Sequence, residues 1–570
     1  MGAILNYIKL FLFLLLSGLL LPNHYSPWSA VVQQVVCGFF ALLIGLWVLL
    51  SKSDRPEKIP VIAVVAAALA PIPLAQWAGG AIPFRVDAFL PAIYLLAFGL
   101  SIAVGARLVS VAGGKVWNGF FSGVLAVAGV SVVLQLFQWQ SIGWLGVFLK
   151  DLPFLANSTY VGRPYANIAQ PSQLAVIQCL GMLAVVYLYE MRRWGGAVCI
   201  LVLAWLTFGL VMTRSRSGLV IAALTAVFWF AVRLPAARRA RLGSGVVLVV
   251  AMGVATVTWP QINDFLLLSL PETFGQRMAS QGRDLLWPAM WTAVWQHPWL
   301  GWGVGQVARA QQAVASAGEP GIEMVFNAHN LLLDLMLWCG IPFAVVSVTA
   351  LAAWFVRRAR QCADISALTL MGGVLIIGLY ALLEFPYEYL YFLIPLGLMM
   401  GGIEAPQVAS SGWRVPKVAL WGLWVSMAAA LTMVVVEYAT VESADRDARM
   451  AMARVGYGPG HVIPPPDVWL LDGPREFHRF RFTEARPGMS EDELVWMNRV
   501  VMRYPYPPAL FRLALAQGLN GHPVQAREHL RGLCNTNWPT ACDEAGESWR
   551  EVQRKYPQLR DITMPQPSPH

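Results

Sequence analysis

VVQQVVCGFFALLIGLWVLL, residues 31–50, is a run without a single charge, and Lys52, Arg55 and Lys58 follow it at once. A helix rises about 1.5 Å per residue, so a run of this length spans about 30 Å, the hydrocarbon thickness of a bilayer. The basic residues behind it mark a membrane boundary. Similar runs recur along the chain, starting near Ile4, Val31, Ile59, Ala88, Val116, Ile168, Gly195, Ser217, Val246, Asn330, Ala367, Glu388 and Val418. The eleventh and twelfth read either as two spans or as one re-entrant pair. The expectation is an all-α polytopic membrane protein with about thirteen transmembrane helices.

Composition says the same. Apolar residues make up 57% of the chain and charged residues 13%, against about 45–50% and 25% in soluble proteins. A soluble enzyme, a disordered chain, a collagen and a disulfide scaffold are excluded. The net charge of +9 lies wholly in residues 1–438, because residues 439–570 carry 16 basic and 16 acidic side chains. Its basic residues form short clusters between apolar runs, with no aromatic-interleaved basic face, so no nucleic-acid partner is implied.

The clusters at Lys52, Arg55 and Lys58; Arg107 and Lys115; Arg192 and Arg193; Arg233, Arg238, Arg239 and Arg241; Arg357, Arg358 and Arg360; and Arg414 and Lys417 occupy alternate loops. The positive-inside rule then puts the N-terminus in the cytoplasm and the C-terminal residues on the exported side. The first run lacks a small-residue cleavage site and reads as a retained anchor; Met1-Gly2 lacks the rest of a myristoylation signal. The division expected is a membrane domain, 1–438, with an exported loop at about 260–329, and an exported helical domain, 439–570. Within that tail, 509–534 reads as two amphipathic stretches joined at Asn520-Gly521, either one tetratricopeptide-like hairpin or an ordinary helical cap. Cys534 and Cys542 alone would meet an oxidising compartment, and a disulfide between them is expected. No cysteine or histidine spacing resembles a metal site, so no metal is expected.

Ionisable groups on the exported side are the informative ones. Arg214 and Arg216, in TRSRSG (213–218), break the positive-inside rule. They read as snorkelling arginines or as an anion clamp at a helix start, since guanidinium forks match phosphate oxygens. Arg283, in GRDLLW (282–287), is a second candidate phosphate contact unless Asp284 pairs with it. His329 stands where the long loop enters the tenth run, followed by Asn330 and Asp334. A neutral imidazole there can accept a proton from a hydroxyl; the alternative is a histidine that caps or packs. Two polar patches surround prolines: NIAQPSQLA (167–175), with Asn167, Gln170, Ser172 and Gln173, and EFPYEYLYF (384–392), with Glu384, Glu388 and Tyr387, Tyr389 and Tyr391. Such patches at membrane depth line cavities or break helices. The run Trp287 to Gly305 reads as helical pieces at the membrane surface, where Trp concentrates.

TRSRSG, GRDLLW with HPWLGWGVGQ (297–306), and AHNLLLDLMLWCGIP (328–342), in that order, resemble the O-antigen ligase and polymerase superfamily. QPSQLA (170–175) and EFPYEYLYFLIPLG (384–397) resemble one branch, the bacterial protein O-oligosaccharyltransferases. The resemblance covers roughly residues 160–405. It implies a metal-independent, cofactor-free glycosyltransferase of the bacterial inner membrane with a periplasmic active site. Its donor would be an undecaprenyl-pyrophosphate-linked oligosaccharide held among membrane lipid, and its acceptor serine or threonine of a pilin or another exported protein. It implies His329 as general base, Arg216 and Arg283, with Arg214, on the pyrophosphate, and Gln170, Gln173, Glu384, Asn330 and a late-motif tyrosine at the substrate cavity. Tyr389 is that tyrosine by position, with Tyr387 and Tyr391 close by. Ser172 stands where the family often has asparagine. An O-antigen ligase or polymerase would use the same residues on a glycan or glycolipid acceptor. A transporter would instead spread its charges at mid-depth over several helices.

Overall fold

The computed structural model describes residues 2–51, 58–140, 154–156, 163–168, 170–232, 238–265, 283–318, 323–458, 460–536 and 539–565. Lys52, Arg55, Ala169, Arg233, Gly282, Pro459 and, in the long loop, 266–282 and 319–322 lie outside them.

Backbone in lipid must satisfy its own hydrogen bonds, and these apolar runs do so as helices. Among the described residues, nine stretches are long and apolar enough to cross a membrane: Val31–Leu50, Val61–Ala78, Arg85–Ala112, Gly114–Gln140, Pro171–Glu190, Leu242–Phe265, Ile341–Arg360, Leu390–Ser411 and Lys417–Met452. Shorter apolar helices follow at Gly196–Met212, Arg216–Ala231 and Ile365–Ala381. The first run forms the helix Gly2–Leu14 and a short 3-10 turn. The two-residue strands Lys58–Ile59 and Trp413–Arg414 pair antiparallel and are the only sheet among the described residues.

One expectation needs correction. The tenth run, starting at Asn330, is not a continuous span. It is a nine-residue helix, Leu331–Cys339, that stops at Gly340, and the span is Ile341–Arg360. Gly340 has φ of 85°, and a Cβ there would lie 2.2 Å from the carbonyl oxygen of Trp299. The stop is locked by the Ile341 N–H donating to Pro298 O at 2.8 Å and the Trp302 N–H donating to Leu337 O at 2.6 Å. The break is therefore imposed by the preceding Trp-rich segment, with no interruption in the apolar pattern.

The chain divides into two compact units. The first comprises 1–70, 93–279 and 351–432. Its centre is Pro171–Glu190, almost every residue of which is buried. The helices Arg85–Ala112 and Leu390–Ser411 meet backbone to backbone at Gly105 and Gly401, where a Cβ would lie 2.2 Å from Leu398 O and 2.0 Å from Ile102 O. Small residues permit this close approach in a medium that offers no hydrophobic drive between helices. The unit has two chemically distinct ends. At one, Lys58 pairs with Arg414, the Glu190 carboxylate accepts the N–H groups of Arg239 and Ala240, and Arg358 forks onto Glu404. Lys58 thus meets the Arg414 cluster, and the Arg238–Arg241 cluster meets the helix end that precedes Arg192.

The second unit comprises 71–92, 280–350 and 433–570. The Asp472 carboxylate accepts the N–H groups of Arg85 and Val86, and Arg503 donates two bonds to Asp87. The helices Pro507–Leu519 and Pro523–Asn535 turn at Asn520 and Gly521, which has φ of 88°. The end of the second helix docks on Val307–Ala317: Gln312 donates to Thr536 at 2.8 Å, and Asn535 donates to Ala315 O at 2.9 Å. Cys534 and Cys542 are disulfide-bonded immediately beside that contact. Closing a loop with a sequence separation of 8 should stabilise the fold by about 2–3 kcal/mol on chain-entropy grounds. Cys534→Ala in the detergent-purified full chain should lower the thermal midpoint, and reductant should lower the wild-type midpoint to match. The helix Arg283–Gln296 buries Leu286, Met290, Ala293 and Val294, and it exposes Trp291 and Trp295, with Trp299 exposed just beyond its end.

Candidate active site

Three sequence motifs meet at the polar end of the first unit. Proline at the first helical turn starts Pro171–Glu190, because its fixed φ suits that position and its missing N–H is not needed there. This brings Gln170 and Gln173 together, Gln173 Nε2 donating to Gln170 Oε1 at 2.8 Å. Tyr391 Oη donates to Gln173 Oε1 at 2.7 Å, and Ser172 and Tyr380 share a hydrogen bond of 3.1 Å. The proline patches of Gln173 and Tyr391, 218 residues apart in the chain, are thus joined by a hydrogen bond. Tyr391 faces inward, while the half-buried ring of Tyr389 stacks on it at 5.1 Å. Glu384 is buried just before them.

TRSRSG packs against the same place. Gly218 sits so close to Pro171–Glu190 that a Cβ on it would lie 2.6 Å from Cβ of Ala175. Ser215 caps the helix Arg216–Ala231, its Oγ accepting the Gly218 N–H at 3.3 Å, so Arg216 is the first helical residue. A helix N-terminus adds its dipole and unpaired N–H groups to the two guanidinium charges, which is the arrangement that suits an anion. Arg214 is only 9% exposed and has φ of 51°.

In the second unit, His329 has φ of 53°. A side chain held in this region costs on the order of 1–3 kcal/mol and survives where the surroundings over-determine it. They do so here. The Ala328 N–H donates to Asp334 Oδ1 at 2.8 Å, and the Ala328 carbonyl accepts the Trp287 indole N–H at 2.9 Å. Asn330 Oδ1 caps the following helix by accepting the N–H groups of Leu332 and Leu333. Ala328 and Asp334 are both 0% exposed. Trp287 lies one helical turn beyond Arg283, the first residue of Arg283–Gln296. The arginine motif and the histidine motif of this unit are therefore hydrogen-bonded neighbours.

A family profile described as O-antigen ligase matches residues 199–346, which contain Arg214, Arg216, Arg283 and His329. This segment is similar to the O-antigen ligase family. A second profile, described as the C-terminal part of a virulence factor membrane-bound polymerase, matches residues 368–535. Among curated relatives, a general O-oligosaccharyltransferase of Acinetobacter baylyi is 27% identical over 438 residues, covering 73% of this chain and 74% of that protein. A ComP-specific O-oligosaccharyltransferase of the same organism is 27% identical over 260 residues, covering 45% and 47%. The protein is a multi-pass membrane glycosyltransferase.

Within it, Gln170, Gln173, Arg214, Arg216, Glu384, Tyr389 and Tyr391 belong to the first unit, and Arg283, His329 and Asn330 to the second. The side-chain oxygen of Asn330 is engaged as a cap. Other residues that shape the site escaped the sequence reading. Gln138 accepts the N–H groups of Tyr165 and Ala166 and donates to Ala156 O and Ala166 O, fastening the segment before Gln170. Arg163 Nε donates to Thr213 O at 3.2 Å, beside Arg214. Gln34 Oε1 accepts both Tyr94 Oη and the Leu390 N–H, which sets the start of the Tyr391 helix. A signal for the first existed: an amide inside an apolar run is rarely tolerated without a task.

Proposed function

We propose that this glycosyltransferase moves a preassembled glycan en bloc from undecaprenyl pyrophosphate to serine or threonine hydroxyls of exported proteins, pilins among them. The observation that carries the reading is the His329 turn: a histidine held in a costly conformation, hydrogen-bonded through its neighbour to the helix that begins with Arg283. The oligosaccharyltransferase names of the two relatives support protein as acceptor. His329 takes the proton of the acceptor hydroxyl as its oxygen bonds to the anomeric carbon. The bond from that carbon to the pyrophosphate oxygen breaks, its electron pair leaves with the lipid pyrophosphate, and Arg216, Arg283 and Arg214 neutralise the growing charge. Direct displacement inverts the sugar; a covalent glycosyl-enzyme product would exclude this route.

In this reading the basic clusters of the first unit face the cytoplasm and its glutamine, arginine and tyrosine end faces the periplasm, with residues 1–438 as transferase and 439–570 as periplasmic helical domain. The membrane is the bacterial inner membrane. Gln170, Gln173, Glu384 and Tyr389 line the donor cavity.

The O-antigen ligase description of the first profile favours a second reading, the same displacement onto a glycolipid acceptor. Purified protein in liposomes, given a lipid-pyrophosphate glycan with a pilin-like protein and a lipid A core in parallel, separates the two. Glycosylated protein is the expected product, and glycolipid alone would make the chain a ligase. Arg283→Ala should lower the rate about 10²–10³-fold, the usual cost of a lost charge-stabilising donor. Unimpaired transfer by that variant would remove Arg283 from the site.

A further inference from the structure

We infer that Trp287 and Asp334 are positioning residues for His329, and that Trp287 makes the base and the Arg283 cation parts of one rigid piece. The inference rests on the reading of His329 as the base. The carbonyl of Ala328 lies in the peptide plane that ends at the His329 nitrogen. Fixing that carbonyl with the Trp287 indole N–H, at 2.9 Å, fixes the plane from which the φ of His329 is measured. Asp334 holds the other side of Ala328 through its N–H, at 2.8 Å, and its own N–H donates to Asn330 O at 2.8 Å. His329 is therefore pinned between an anchored peptide plane and a capped helix start. Ala328 and Asp334 are both fully buried, so no solvent replaces either bond when it is lost.

The strut has a consequence for geometry. Arg283 and Trp287 are four residues apart on one helix, so their side chains leave the same face. One helix thus carries the cation that meets the leaving group and the strut that orients the base. The separation between proton acceptor and charge stabiliser is set by a turn of helix and one hydrogen bond, and the long loop between them is relieved of that task. Reactions of this kind are sensitive to such settings: a misplacement of about 1 Å costs on the order of 10²-fold.

The test uses the full chain in liposomes with the lipid-pyrophosphate glycan donor. Trp287→Phe removes the N–H and keeps a ring. It should lower kcat about 10–100-fold with the donor KM unchanged and the chain still folded. Asp334→Asn keeps an acceptor oxygen and should retain kcat within about threefold, while Asp334→Leu should fall with Trp287→Phe. On a His329→Ala background, Trp287→Phe should have no further effect, because a residue acting through His329 has nothing left to act on. A full additional loss there, or an unchanged kcat in the single variant, overturns the inference. NMR of the chain with isotope-labelled histidine gives a readout independent of catalysis, the His329 signal being the one that His329→Ala deletes. Trp287→Phe should split or broaden that signal, and an unchanged signal overturns the inference. Wild-type kcat in His329→Ala would defeat the proposed base while leaving the positioning claim to be judged by the resonance alone.

Discussion

His329→Gly should abolish transfer and yet unfold later than His329→Ala. Loss of a general base typically costs about 10²–10⁴-fold, so both variants should be nearly inactive. Their stabilities should differ, because the backbone at 329 has φ of 53°. Glycine adopts that region without a steric penalty, whereas a Cβ there costs about 1–2 kcal/mol. His329 is half-buried, so little packing is lost in either case. The glycine variant should therefore be about 1 kcal/mol more stable than the alanine variant after its larger unfolded-state entropy is counted. Paired thermal unfolding of the two purified variants reads the difference, and transfer assays read the activity. An alanine variant at least as stable as the glycine variant would show that the turn stores no strain. Measurable transfer within about tenfold of wild type would end the case for His329 as base. Stability surrendered at one residue and recovered by its neighbours is what a functional turn looks like, and Asp334, Trp287 and Asn330 supply that recovery.

The candidate motifs stand out in the sequence because lipid makes them conspicuous. Arginines in a loop that the charge clusters assign to the disfavoured side, a histidine at a helix entrance and glutamines beside proline each break a rule that apolar residues obey. The membrane class was legible from apolar runs alone. Gly340 was not, although Gly340-Ile341-Pro342 carries the glycine-then-proline signature of a helix end. The apolar pattern runs straight through it, and what enforces the stop is the backbone of Trp299, Pro298 and Trp302, which no local window contains. Gln138 and Arg163 were missed for a related reason. Their partners are backbone groups of irregular segments, which leave no mark in a periodicity. The second unit was the hardest to foresee, since residues 71–92 lie inside what reads as membrane domain and yet are bound by charge pairs to the tail.

The largest stability effect should come from one of those pairs. Arg503→Ala should destabilise the protein by about 3–5 kcal/mol, the cost of leaving one partner of a buried ion pair uncompensated. The Asp87 side chain is 6% exposed, and both its oxygens are taken by Arg503, at 2.8 and 2.9 Å. Without the guanidinium that carboxylate has no water to turn to. The loss also reaches the histidine loop, because Arg503 lies over the ring of Phe326 at 5.2 Å, three residues before His329. The charge itself need not be the stabilising element. Asp87→Leu with Arg503→Met removes both charges and should recover most of what Arg503→Ala loses, since a buried pair replaced by apolar side chains is often neutral in stability. Chemical unfolding of wild type, single and double variants measures the asymmetry, and a double variant as unstable as the single would mean that the pair is intrinsically stabilising. The same contact governs how the tail can be studied. Deleting residues beyond 456 would strip partners from Asp87, Arg85 and Gln312 at once. Such a truncation reports on folding of the second unit. Acceptor recognition by the tail is better sought with substitutions of exposed residues that leave Arg503, Asp472 and Thr536 in place.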